Sequence, residues 1–226
     1  MATMAKEAAV DDRLLNVFQP GLIRGSERMP FDPAKAYAYV EHPTEGWRVY
    51  LRTATFLHPL SPPGAPVNLQ NFLVVKRRGA RPTTATWEPP KGQMEGKDFR
   101  LHPKAPLLSV LAENARREVE EESHVTEITR MRYTGLAFQA TEREWPSNWY
   151  FQYHIFQGFL TPAQVSQSFA TFEWIAEHPK AFARWKRDRR EKDAVAWFNP
   201  RTTPLNPRWC PAIFVLYLEA LRTRGA

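Results

Sequence analysis

Apolar residues fall into short runs bounded by turn formers over part of this chain, and into a helical stripe over another part. Trp47 to Leu57 and Asn71 to Lys76 read as strands, separated by the proline-rich turn Ser61-Pro62-Pro63-Gly64. Leu108, Leu111, Ala115 and Val119 recur at i, i+3, i+7 and i+11, the stripe of a helix packed on a core. This predicts a helix over 106–123, with Pro106 in the first turn. Glu127 to Gln139 and the aromatic-rich Asn148 to Leu160 follow as strands. Thr161-Pro162 opens a further helical stretch, Lys180 to Lys192 reads as a basic helix, Ala194 to Phe198 as a short strand, and Pro207 to Arg222 as a last helix. Mixed strands and helices in this order predict an α/β protein with a helix-flanked sheet.

Length and charge narrow the class. At 226 residues one enlarged domain is expected, with a core over about 45–200, an extra N-terminal segment 1–44 and a C-terminal helix at about 207–222. No apolar run approaches a membrane span, so no membrane insertion is expected. The charged residues Lys6, Glu7, Asp11 and Asp12 interrupt any signal-like segment, which points to a cytoplasmic location. Cys210 is the only cysteine and is expected to be a buried thiol in the last helix. Six scattered histidines give no zinc pattern. Lys and Arg outnumber Asp and Glu by 31 to 24, a balance that suits a nucleotide, a polyphosphate or RNA and equally suits a basic surface kept for solubility. The cluster Lys180, Arg184, Lys186, Arg187, Arg189, Arg190 and Lys192 is interleaved with Asp188, Glu191 and Asp193, and reads first as a solvated helix face.

The chemistry is concentrated in Arg117-Glu118-Val119-Glu120-Glu121-Glu122. Glu118, Glu121 and Glu122 stand at i, i+3 and i+4, so they share one narrow helix face. Such runs are more often solvated faces. Here, however, Glu118 and Glu122 project along the margin of the apolar stripe, where grouped hard oxygens suit Mg²⁺ or Mn²⁺. Arg117 can pair with Glu121 at i+4, whereas Glu113, Arg116 and Glu120 point outward.

Together with Trp87-Glu88-Pro89-Pro90-Lys91-Gly92, this run resembles the Nudix hydrolases: Gly92 stands as the opening glycine of their box, and Arg117 to Val125 as its closing half. The likeness extends over roughly 70–200, including the strand Phe72 to Arg78 and the late strand Ala194 to Phe198. The resemblance implies an α/β/α sandwich with a mixed sheet, enlarged at both ends, and a Mg²⁺- or Mn²⁺-dependent hydrolase. Its substrate would be a small molecule in which a nucleoside diphosphate is linked to another group. RNA cap removal, diphosphoinositol polyphosphate hydrolysis and a non-catalytic module that binds nucleotide or RNA are the alternatives. Glu118, Glu121 and Glu122 would hold the metal, with Arg117 positioning Glu121. Lys91 and Gly92 would meet the phosphates, a carboxylate of the helix or Glu142 or Glu144 would serve as general base, and Trp145 and Trp149, with Tyr150 beside them, would stack on a base.

The chain departs from the box at three points. Lys97 to Pro106 is an apparent inserted loop. Ser109 falls where the first box glutamate belongs, leaving Glu95 or Asp98 to take that role, with Glu95 a candidate metal ligand. His124 replaces the last glycine at a position that favours left-handed backbone.

Overall fold

The computed structural model describes residues 14–30, 32–62 and 65–223. Lys6, Glu7, Asp11 and Asp12 lie outside the described residues, as do Pro63 and Gly64 of the proline-rich turn. The strands are β1 (Ile23–Met29), β2 (Asp32–Glu41), β3 (Arg48–Pro59), β4 (Leu73–Arg77), β5 (Trp87–Glu88), β6 (Lys91–Gln93), β7 (Arg130–Ala140), β8 (Trp149–Leu160) and β9 (Lys192–Trp197). The helices are α1 (Gly96–Leu101), α2 (Leu107–Ser123), α3 (Pro162–Glu177), α4 (Pro179–Phe182) and α5 (Cys210–Thr223).

The main sheet runs β1-β2-β3-β8-β7, with β6 pairing on β3. Only β3 and β8 are parallel, in register from Arg48 opposite Trp149 to Pro59 opposite Leu160, so the sheet is mixed. A second sheet runs β5-β4-β9, antiparallel throughout. Strand β3 is apolar on both faces, as a strand covered on both sides must be. Tyr50, Ala54 and Phe56 pack in the cluster that receives Ile213, Tyr217 and Leu221 of α5. Val49 and Leu51 face the cluster of Leu107, Val110 and Leu111 from α2. Helices thus cover opposite faces of one sheet, and the protein is an α/β/α sandwich.

Three expectations are corrected. Leu108 is exposed; the buried stripe of α2 is Leu107, Val110, Leu111, Ala115 and Val119, one residue round from the predicted start. Lys180 to Lys192 is no single helix: it contains the end of α4, a 3-10 turn at Asp188–Arg190 and the first residue of β9. Part of the apparent inserted loop folds as α1, closed by a reciprocal cap in which Glu95 and Asp98 each bond the other's backbone N–H. Residues 14–44 contribute β1 and β2 to the main sheet, β2 pairing with β3.

The residue His124 adopts a left-handed conformation, with φ 57° at the C-cap of α2. Its backbone N–H bonds the Glu120 carbonyl at 3.1 Å, and its ring packs between Phe172 and Trp185. These tertiary contacts hold a conformation that a histidine adopts at greater cost than glycine.

Candidate active site

Pro89 and Pro90 carry the chain from β5 of the small sheet to β6 of the main sheet, where a residue without an N–H leaves no ladder donor unmet. The crossing sets Glu88 and Lys91 beside the start of β9 and above the C-terminal half of α2. There Lys192 pairs with Glu88, and with Glu122 at 2.9 Å; Lys91 pairs with Glu88 at 3.3 Å and donates its backbone N–H to Glu122 at 2.9 Å. Burial alone would raise the Glu88 carboxyl, but the ammonium groups of Lys91 and Lys192 overcome it and hold the carboxyl low. Glu122 is driven upward by burial and by the charge of Glu88, against the pull of Lys192.

A second group centres on Arg117. Its guanidinium meets Glu118 at 3.2 Å, Glu121 and Asp98 at 3.3 Å each, and Glu95 at 3.6 Å. Glu95 also pairs with Lys97 and Lys35. Glu118 lies beneath Gly92, bonded by the Asn114 amide at 3.3 Å, and Asn114 in turn accepts from the Thr53 hydroxyl of β3 at 2.7 Å. Burial pushes the Glu118 carboxyl up to about 8, with Glu122 and Glu121 adding to the shift and Arg117 opposing it. Gly92 is required by close approach: a Cβ there would fall 1.9 Å from a Glu118 carboxylate oxygen.

The sequence-derived site residues therefore separate. Glu118 and Glu122 sit against the start of β6, at Gly92 and the Lys91 backbone N–H. Glu121 and Glu95 are turned onto Arg117. Glu120 is half-exposed and pairs with Arg189. The N–H of Lys91 is occupied by Glu122, which leaves the Lys91 ammonium as its group for an incoming anion.

Above this floor opens a cleft of about 1110 Å³ whose wall includes Trp145, Trp149, Tyr153 and Trp209. Trp145 and Trp149 rest on Tyr50 with ring centroids 4.8 and 5.6 Å away. Lys91 and Lys192 line the floor, Arg77 and Arg78 one side, and Arg52 and Arg208 another. Glu144 is exposed on the wall, whereas Glu142 is held by Arg52 at 3.3 Å and Arg208 at 2.6 Å.

Glu88, Lys192 and Arg52 were not among the sequence-derived site residues, and Lys192 was placed on a solvated face. Two of them carried a signal: Arg52 lies inside the apolar run of β3, and Lys192 leads into the apolar Ala194 to Trp197. Charges embedded in such runs are either paired or functional. Of the rest of the basic cluster, Arg187 pairs with Asp32, Arg189 with Glu120, and Arg190 donates to the Ala183 carbonyl.

Removing the Lys192 ammonium leaves two buried carboxylates short of a cation. Lys192→Met is expected to destabilise the fold by about 3–5 kcal/mol, measured by equilibrium urea unfolding at pH 7. A loss below about 1 kcal/mol would mean that the bridge carries little of the burial cost.

Among the described residues no group of three or more His, Cys, Asp or Glu is gathered closely enough to enclose a metal ion. Mg²⁺ needs less: one or two carboxylates suffice when waters and ligand phosphates complete the shell. Glu118 and Glu122 meet that requirement by their chemistry. They offer only oxygen, both are buried, and both are shifted upward by burial and crowding, so a divalent cation would relieve their repulsion.

No family model and no curated protein sequence matches the chain. Among solved structures, Shewanella oneidensis NrtR complexed with a 27mer DNA aligns at 13% identity and a TM-score of 0.43, over 77% of this chain and 63% of that one. A NUDIX hydrolase from Nitrosomonas europaea aligns at 13% identity and a TM-score of 0.41, over 76% of this chain and 88% of that one. Neither likeness is strong enough to assign a ligand or a site residue.

Proposed function

We propose that this chain is a Mg²⁺- or Mn²⁺-dependent hydrolase of the diphosphate bond in a nucleoside diphosphate linked to another group. The observation that carries the reading is the pair of buried, upward-shifted carboxylates Glu118 and Glu122, packed against Gly92 and the backbone N–H of Lys91, next to the two lysines whose side chains line an aromatic-walled cleft. The motif resemblance around Arg117 to Glu122 supports the same assignment.

Glu118 and Glu122 hold the ion, and Arg117 fixes Glu121 and Glu118 from the side. When bound, the ion supplies charge neutralisation at the diphosphate and acidification of the attacking water. Lys91 and Lys192 orient phosphate oxygens as compact positive charges. Trp145 and Trp149 offer flat faces to a nucleobase, which favours a nucleotide over an inositol polyphosphate. Of the two loop carboxylates proposed as proton acceptor, Glu144 is the accessible one, since Glu142 is bound by two arginines. A non-catalytic module that binds the same ligand is the second reading. It is favoured by the engagement of Glu122 with Lys192 and of Glu121 with Arg117.

Proton release tests metal binding without reference to turnover. The Glu118 carboxyl, at about 8, retains its proton at pH 7, and a metal ligand must give it up. Mn²⁺ added to the full chain in weak buffer at pH 7 is therefore expected to release about one proton per site from Glu118 and a smaller fraction from Glu122, and Glu118→Gln to remove the larger part of the release. Wild-type binding with no change in pH would place the ion elsewhere.

A further inference from the structure

The cleft has a second cationic corner that the diphosphate floor does not use. Arg52 enters it from the middle of β3 and is only 3% exposed. Its guanidinium lies over the ring of Phe151, 4.0 Å from the centroid, and 5.4 Å from the centroid of Tyr153. Its Nε has no hydrogen-bond partner, and neither does the indole Nε1 of Trp209, which lines the same cleft. Trp209 is one of two described non-glycine residues with positive φ, at 67°. Buried donors without acceptors are costly, and a backbone held in this region by its surroundings recurs where ligands bind.

What fills the corner is an acid from the chain itself. Both terminal nitrogens of Arg52 reach one Glu142 oxygen at 3.3 Å, and Arg208 reaches the other at 2.6 Å. The Arg52 contacts are long for charge-assisted hydrogen bonds, and they leave Nε unmet. Glu142 belongs to the β7–β8 connection, and Arg208 is 67% exposed in its side chain, so both can move without disturbing the core. Tyr153 connects this corner to the floor, because the Lys91 ammonium stands 5.7 Å from the centroid of the same ring.

We propose that Arg52, Arg208 and Trp209 form a phosphate subsite for the part of the ligand beyond the diphosphate, and that the Glu142 carboxylate occupies it until the ligand displaces it. The proposal rests on the diphosphate reading of the floor for the ligand's other end. It makes Glu142 a competitor for the arginines rather than a proton acceptor. A phosphate group brings more oxygens and more charge than the carboxylate in place, which engages Arg52 and Arg208 and leaves the Arg52 Nε and the indole N–H unmet.

The test is calorimetric titration of the full chain with inorganic tripolyphosphate in EDTA, where hydrolysis plays no part. Glu142→Gln is expected to bind about tenfold more tightly than wild type, since the arginines no longer have to release a carboxylate. Arg208→Gln placed on that variant is expected to cancel the gain, and Arg208 is exposed enough that folding is not at stake. Glu144→Gln removes a charge from the same wall without touching either arginine, and is expected to change affinity by less than about threefold. Equal gains from Glu142→Gln and Glu144→Gln would reduce the effect to net charge and overturn the proposal, as would unchanged or weaker binding by Glu142→Gln. Absence of any metal-dependent turnover by the wild-type chain, with these affinities as expected, would refute hydrolysis and leave the subsite standing.

Discussion

Glu122→Gln is expected to lower hydrolysis of a nucleoside-diphosphate-linked substrate by about 100-fold or more, about 3 kcal/mol of transition-state stabilisation. Glutamine keeps the shape and can still accept the Lys91 N–H, so the fold survives. What it lacks is the charge that holds a divalent ion and faces Lys192. Glu120→Gln is the matched control on the same helix: that side chain pairs outward with Arg189, and its loss is expected to leave rates at the wild-type level. Glu121→Gln is expected to fall between the two, because Arg117 draws its carboxylate away from Glu122. Initial rates at saturating Mn²⁺, compared with thermal unfolding of each variant, separate loss of chemistry from loss of structure. Wild-type rates in Glu122→Gln would remove this residue from the site.

Gly92→Ala is expected to do nearly the same damage from the other side. The added methyl would stand 1.9, 2.1 and 2.6 Å from the three carboxylate atoms of Glu118, which cannot all remain where they are. The carboxylate is tied to Asn114 and Arg117 and has little room to retreat, so the metal-binding geometry is lost first. A stability cost of about 1–3 kcal/mol accompanies it, the usual range for an overpacked interior. Turnover and Mn²⁺-linked proton release are both expected to drop to the Glu118→Gln level. A folded Gly92→Ala protein with full proton release would show that the Glu118 carboxylate does not need its present position.

Some of this architecture was open to reading from sequence, because local pattern and tertiary role coincide. Helix α2 was expected over 106–123 and spans Leu107–Ser123, since its apolar stripe and its carboxylates occupy adjoining faces of one element. The strands β3 and β8 are long, apolar and bounded by turn residues, so period and propensity agree. Strand β2 was invisible for the opposite reason: Asp32-Pro33-Ala34-Lys35-Ala36 begins with weak strand formers, and its pairing with β1 and β3 decides its state. The basic run before β9 misled by composition. Lys192 looks like its neighbours, but its partners Glu88 and Glu122 lie 104 and 70 positions earlier, and only the crossing of the two sheets brings them together.

For the candidate site, the sequence offered residue types and not their pairing. Arg117 was expected to hold Glu121, and it also gathers Glu118, Glu95 and Asp98. Asp98, left open beside Glu95 as the replacement for the missing box glutamate, makes the shorter contact to Arg117, 3.3 against 3.6 Å. Glu142 and Glu144 were equivalent in sequence, two acids in one loop. Arg52 and Arg208, far away along the chain, make them different.

The most direct measurement is hydrolysis of an ADP-linked sugar by the full chain in ¹⁸O-labelled water with Mn²⁺, with products identified by mass spectrometry. The expected result is a nucleoside monophosphate and a sugar phosphate, one of them carrying a single ¹⁸O, with no label incorporated in EDTA or by Glu122→Gln. Saturable binding of the same compound with no labelled product, at any Mn²⁺ or Mg²⁺ concentration, would contradict hydrolysis and leave the cleft as a binding site alone.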